Sequence, residues 1–537
     1  MEIDILIKNG FIVDGTGNPG YYSDIGISKE KIAIISKGMD EKVSKVIDAT
    51  NHVVCPGFIN THSHSDDILL VNPKLRSNIH QGITTLVVGN CGTSWAPVTK
   101  EKKDLIEREL KIALGGADFQ IDYSTFEEYL SKMEKIRCPA NLAFLIGYAI
   151  IRKVGGQGYD NRPPTPDELE RMKRLIREGM QAGALGLSTG LLYAPQSYAN
   201  TEEIIELAKV VGEYDGVYAS HIRNEGNEVI EAIKECIKIA EKAKCKGHIS
   251  HHKIAGRINW GKSDETLKLI EEANLRGVDI TFDQYPYNRG AASLSAALPP
   301  WVHEGGIIQM LDRIKDDKFR DKIKDDVLYG IKEWENWISL MGFDKLYISS
   351  VNSEKWKKYE GYNISYIAED KLVDPWEVFF DILIDSETDV SITIESMSEE
   401  DIRKIMVNKF QMFGTDCVAI PASDAFGKIH PRGFGTYPRV LNKYVKEEKI
   451  LTLEDAIRRM TSFPASKFGF KKRGVIRENY WADMVIFNLN TVKDKATYEN
   501  PHQYPEGIPY VIVNGMIVID KGKQKNKKAG KILRRQS

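Results

Sequence analysis

Six side chains in this sequence pair metal-holding or proton-exchanging chemistry with places where a chain can gather them. His62 and His64 stand two apart at the end of the run Pro-Gly-Phe-Ile-Asn-Thr-His-Ser-His (56–64). On a strand, the two-residue period puts both imidazoles on one side and Ser63 on the other, the spacing needed to hold one cation. Asp66 and Asp67 follow at once, placed to orient ring nitrogens that do not face the metal. Cys91 lies between Gly89 and Gly92, which let the backbone turn sharply around a thiolate. His221 and His251 end two later apolar runs, and with Cys91 they form an S,N,N set suited to zinc, with a fourth position for water. Asp424 ends another run, where a carboxylate can exchange a proton with that water. Spacing alone cannot pair distant ligands, so a satisfied core histidine, an inert cysteine or an Asp-capped loop is the alternative at each position. His248 and His252 compete with His251 on period, but alternation turns both to the other face and gives them a structural role.

These residues need a scaffold that brings strand ends together. From 84–88 onward, short apolar or β-branched runs alternate with helical patterns: strands at 142–146, 183–188, 216–221, 245–251 and 278–283, and helices from Thr201, over 228–243 and over 263–275. Thr165-Pro166-Asp167-Glu168 is a helix start with a threonine cap, proline in the first turn and glutamate at the third position. Continuously apolar strands are buried on both faces, as in a parallel sheet with crossovers. The pattern predicts an α/β (β/α)₈ TIM-like barrel over 56–469, with 417–424 as strand eight, a helix at 453–460, and the candidate residues on the rim where strands stop. Between 290 and 375 the alternation fails in a charged, Trp-bearing stretch, read as a subdomain inserted after strand seven. Residues 1–55 and 470–537 share short strands and tight turns, read as one small β-sandwich domain built by both termini.

With 537 residues there is room for a large catalytic domain and a companion. The balance of 74 basic against 76 acidic residues suggests neither nucleic acid nor an anionic membrane as partner. The beginning Met-Glu-Ile-Asp-Ile-Leu-Ile-Lys lacks the pattern of a secretory signal, no long apolar run appears, and six scattered cysteines form no disulfide framework; a cytoplasmic protein is the expectation.

Seven motifs together carry a resemblance across the chain: 56–64, Gly-Asn-Cys-Gly (89–92), His-Ile-Arg-Asn-Glu (221–225), Ile-Ser-His-His-Lys (249–253), Ser-Asp (423–424), His-Pro-Arg-Gly-Phe-Gly-Thr-Tyr-Pro-Arg (430–439) and Trp-Ala-Asp-Met-Val-Ile-Phe (481–487). The sequence resembles the N-acyl-D-amino-acid deacylases (D-aminoacylases) of the amidohydrolase superfamily. That resemblance implies zinc-dependent hydrolysis of N-acyl-D-amino acids, with one tight zinc at Cys91, His221 and His251 and a weaker second position at His62 and His64. It implies Asp424 as catalytic acid and base, and a clamp on the substrate carboxylate from Arg432, Lys253, Tyr193 and Tyr285, with Tyr287 competing for the last place. It also lets Trp95 shape the acyl pocket. The segment 425–429 is shorter than the His-rich stretch some members carry, which bears on side-chain preference. Cyclic-amide hydrolysis, cleavage of a dipeptide ending in a D residue, and a non-catalytic scaffold are the competing readings. The last conflicts with an intact set of candidate ligands.

Overall fold

The structure, a computed structural model, describes residues 2–39, 43–114, 116–117, 119–423 and 426–535. Parallel strands Phe58–Asn60, Ile83–Val88, Asn141–Phe144 (resuming as Ile146–Gly147), Gly186–Gly190, Val217–His221, Lys246–Ile249, Ile280–Gln284 and Gln411–Phe413 form the barrel in that order. Each residue of Ile83–Val88 is buried, which is why the run reads as apolar without alternation. The ring continues through Leu145, whose N–H reaches the Val88 carbonyl. It closes where the Thr61 N–H meets the Phe413 carbonyl at 3.4 Å. Tyr437 seals that seam, its hydroxyl donating to the Ile59 and Phe413 carbonyls at 2.8 and 2.9 Å.

Outer helices start where caps predict. Pro166–Gln181 opens with the full capping box of Thr165 and Glu168, and buries Met172, Ile176 and Met180. Ser263–Leu275 and Leu453–Met460 have the expected bounds, the second capped by Thr452.

The eighth strand requires a correction. It is Gln411–Phe413, and Cys417 keeps only an isolated bridge to Ser63. The chain then leaves the barrel: Ile420 packs with Phe434 and Ala496 in a separate small cluster, so the apolar character of 417–420 serves that contact. Asp424 lies outside the described residues.

The inserted unit has its own core, including Trp356, Phe379, Phe380 and Ile392. Its antiparallel sheet joins Arg289–Ser293 and Leu346–Val351 to a central Val390–Glu395, so the unit reaches well past residue 375. Strands from both ends of the chain join edge to edge in one nine-stranded sheet, with Val53–Pro56 beside Met484–Phe487. A buried polar network fixes that sheet to the barrel: Asp483 accepts from Arg473, from the Asn514 N–H at 2.7 Å and from Asn141 Nδ2 at 3.2 Å. Among the described residues no helix is long and apolar enough to cross a membrane.

Candidate metal centre and substrate cavity

His62 and His64 lie just past the first barrel strand, and neighbouring backbone bonds hold them there. The Asp416 N–H donates to the His62 carbonyl at 2.8 Å and the His64 N–H to the Cys417 carbonyl at 3.2 Å. The chain after strand eight therefore runs alongside 62–64 and delivers Asp416 to the histidines. Asp416 Oδ1 is 3.1 Å from His64 Nε2 and 3.4 Å from His62 Nε2. Its Oδ2 is 2.7 Å from Arg432 Nη1 in an ion pair, and Arg432 Nε and Nη1 make no hydrogen bond among the described residues.

Cys91 follows strand two in a turn that only its glycines permit. Gly89 has φ +79°, and a Cβ there would fall 2.2 Å from the Leu145 carbonyl oxygen; at Gly92, with φ +72°, it would fall 1.8 Å from Gln196 Oε1. Cys91 Sγ is 3.2 Å from His62 Nε2, 3.4 Å from His251 Nε2 and 3.9 Å from His221 Nδ1. Cys91, His251 and Asp416 all adopt left-handed backbone, at φ 52°, 36° and 47°. Non-glycine residues rarely sit there, and such strain collects at functional sites because the surrounding contacts enforce it.

These donors form two overlapping groups sharing Cys91: His62, His64, Cys91 and Asp416, and Cys91, His221 and His251, with ligand atoms within 4.8 Å of one another in each. The set suits zinc. Burial alone would push the Cys91 thiol up, but the His62 and His251 charges and hydrogen bonds from His221 and His251 hold it well below its ordinary value, favouring the thiolate. His221 Nε2 and His62 Nδ1 are buried without hydrogen-bond partners among the described residues.

Two carboxylates without a role in the sequence analysis orient the rings. Asp283, at the end of strand seven, accepts the His251 N–H at 2.7 Å, receives Thr61, and lies 3.5 Å from His62 Nδ1 and 2.8 Å from His248 Nε2. Glu225, one helical turn's spacing after His221, lies 3.0 Å from His251 Nδ1, 3.8 Å from His221 Nε2 and against Lys253. Burial works against the ionised form of both acids, and the adjacent cations outweigh it, so both sit below the carboxylate range. The signal for Glu225 was its place in His-Ile-Arg-Asn-Glu; for Asp283 it was a carboxylate at a strand end. Asp66 and Asp67 do not bond the histidines: Asp67 caps the turn at 68–70, and Asp66 Oδ2 has no partner among the described residues. His248 bonds Thr281 and Asp283, and His252 bonds Thr266, which matches structural roles.

A cavity of about 380 Å³ opens over the donors, lined among others by His64, Cys91, His221 and His251. Arg432, Lys253, Tyr193 and Tyr285 also line it, and so do Glu335, Trp337 and Met341 from the inserted unit, which roofs one side. Arg432 stacks over the Tyr285 ring, 4.5 Å from its centre, and the buried Tyr285 hydroxyl has no partner among the described residues. Tyr287 packs instead against His430 and Tyr498, away from the cavity lining. Trp95 belongs to the barrel core, and Thr93 reaches the cavity in its place.

A buried cluster of thiolate, imidazoles and carboxylate on the rim of a parallel barrel, under an inserted roof and beside an arginine, defines a metal-dependent hydrolase of the amidohydrolase type. The family profile for amidohydrolases matches residues 45–297 and 363–519. The chain belongs to the amidohydrolase family, among the N-acyl-D-amino-acid deacylases. It is 31% identical to a D-aminoacylase of Alcaligenes xylosoxydans xylosoxydans over 99% of this chain and 98% of that protein. It is 32% identical to an N-acyl-D-glutamate deacylase of the same organism, over 99% and 97%. The crystal structure of N-acyl-D-glutamate deacylase from Bordetella bronchiseptica, complexed with zinc and a phosphonate mimic of the tetrahedral intermediate, superposes with a TM-score of 0.83 at 30% identity, covering 99% of this chain and all of that one.

Proposed function

We propose that this protein hydrolyses N-acyl-D-amino acids to a carboxylate and a free D-amino acid, with Asp416 in the role the sequence analysis gave to Asp424. The observation that carries the reading is the joint placement, in one cavity, of the thiolate–imidazole cluster, the carboxylate Asp416 and the buried cation Arg432. Cys91, His221 and His251 would hold the tight zinc, and His62 and His64, with the shared Cys91, a weaker second position. When bound, zinc supplies Lewis acidity at the amide carbonyl and lowers the pKa of water.

The remaining work falls to the chain. Asp416 is held well below the carboxylate range: burial opposes ionisation, and Arg432, His251, His62 and His64 outweigh it. It is therefore ionised and able to accept the proton of the attacking water, then return it to the departing amine. Arg432 and Lys253 take the substrate carboxylate, with the Tyr285 hydroxyl as a donor beside them, and so fix the amide against Asp416. Arg432 would then exchange part of its hold on Asp416 for the substrate, which couples substrate binding to the acid's position. The D preference follows from three-point contact: with carboxylate and amide anchored, only one hand of Cα places its side chain in the remaining space.

Assay of N-acetyl-D- and N-acetyl-L-methionine in parallel, with the protein's zinc content measured on the same sample, tests the reading. Turnover of the D form that falls with zinc removal is the expected result. Faster turnover of the L form, or of hydantoins, would overturn it.

A further inference from the structure

The charged groups that line the cavity are nearly all paired. Arg432 faces Asp416, Lys253 faces Glu225, and Lys153 faces Glu109 at 2.5 Å. Glu335 is the exception: it lines the cavity, is 4% exposed, and has no ion-pair partner among the described residues. Its Oε2 accepts the Glu225 N–H and its Oε1 accepts Trp337 Nε1–H at 2.9 Å. Both donors are neutral. Burial and the nearby Glu225 charge push the Glu335 carboxyl up to about 7.

A buried carboxyl held by neutral donors, in a space made for a ligand, is compensated when the ligand brings the cation. Beside it, Trp337, Met341 and Ile394 offer apolar surface to the same cavity. That combination matches a side chain with an aliphatic stem and a positive end, the stem covering the apolar wall as lysine and arginine stems do elsewhere.

We infer that Glu335, carried by the inserted unit, is a specificity-determining residue that selects N-acyl-D-amino acids with a cationic side chain, of the lysine, ornithine or arginine class, and rejects acidic ones. This rests on the deacylase reading above and adds the substrate class to it. With Arg432 and Lys253 engaged by the α-carboxylate, a D-glutamate or D-aspartate side chain placed here would set a second carboxylate against a buried one with no cation between them. The inserted unit would then set the side-chain choice while the barrel rim supplies the reaction.

The experiment compares kcat/KM for N-acetyl-D-lysine, N-acetyl-D-norleucine and N-acetyl-D-glutamate in the wild-type zinc enzyme and in Glu335→Gln. Norleucine keeps the stem and lacks the ammonium. The expected result is a lysine-to-norleucine preference of about 10- to 100-fold in the wild type, with glutamate slowest, falling about tenfold or more in Glu335→Gln as glutamate gains. The wild-type order stands independently of whether the variant folds: norleucine or glutamate ahead of lysine overturns the inference and leaves the deacylase reading intact. An unchanged lysine-to-norleucine ratio in a folded, zinc-loaded Glu335→Gln also overturns it. Failure of all three D substrates overturns the deacylase reading and this inference together.

Discussion

Replacing Asp416 with Asn separates the two candidate acids. Asn keeps the size of the side chain and one acceptor, yet it cannot take a proton from water. Loss of a positioned general acid–base lowers turnover by roughly 10²–10⁴-fold, about 3–5 kcal/mol of barrier. The same substitution removes the anion that sits 2.7 Å from Arg432 Nη1 and within 3.4 Å of His62 Nε2. Breaking a buried pair in this way costs about 3–5 kcal/mol of stability unless the cation finds another partner. Asp416→Asn should therefore melt earlier than the wild type, while the zinc held by Cys91, His221 and His251 is retained. Steady-state kinetics on N-acetyl-D-methionine and a thermal melt, with zinc measured in each preparation, give both numbers, and Asp424→Asn is assayed beside it. The expected contrast is a deep loss of kcat in Asp416→Asn and a loss under about tenfold in Asp424→Asn. Near-normal turnover by zinc-loaded Asp416→Asn, or the deep loss falling on Asp424→Asn, would refute the assignment.

Cys91→Ala removes the atom both donor groups share, so elemental analysis should find zinc lost along with activity; full zinc occupancy would contradict the ligand set. Gly89→Ala should produce a weaker form of the same defect, because its Cβ would strike the Leu145 carbonyl and shift Cys91; unchanged zinc affinity in competition with a chelator would argue against that strain. Arg432→Lys replaces a planar fork with a point charge and should lower kcat/KM by about 10–100-fold on N-acyl-D-amino acids, with little loss on N-acyl amines that lack the carboxylate. Glu335 has a folded pKa near 7 against an ordinary 4.5. Its stabilising contribution is thus complete below pH 4.5 and lost as pH rises through 7, a difference of about 3 kcal/mol. Urea melts of wild type and Glu335→Gln at pH 5 and pH 8 should show the variant gaining on the wild type at the higher pH; a pH-independent difference would show that Glu335 stays ionised throughout.

The barrel and the cluster of possible metal donors were legible because their signals are local. A continuously apolar run marks a strand buried on both faces, and a histidine or cysteine where it stops marks the rim, so His62, His64, Cys91, His221 and His251 could be gathered before any contact was known. Asp416 was not legible for a reason equally local. The strand that delivers it is three residues long, Gln411–Phe413, and begins with a polar side chain, whereas the more apolar 417–420 behind it looks like the better strand. That second run owes its character to Phe434 and Ala496, contacts made across the fold. Asp283 and Glu225 were hidden differently. Each is an ordinary acid in sequence, and its meaning comes from the rings it orients on other strands.

The inserted unit extends the same argument to specificity. Residues 290–375 read as a subdomain inserted after strand seven, but its extent was hidden because its central strand, Val390–Glu395, arrives last in the chain. The unit has a core of its own that also takes in Leu192 from the barrel side, and side chains such as Glu335, Trp337 and Met341 carry it into the site. Glu335 accepts the Glu225 N–H, and Glu225 in turn lies against His251, His221 and Lys253. A change of side chain at 335 can therefore alter the charge presented to the substrate while the ring-orienting contacts of Glu225 remain. If Glu335 sets the side-chain choice as proposed, that choice and bond cleavage reside on different units of this chain, and a swap of the inserted unit with that of a relative should move the first without moving the second.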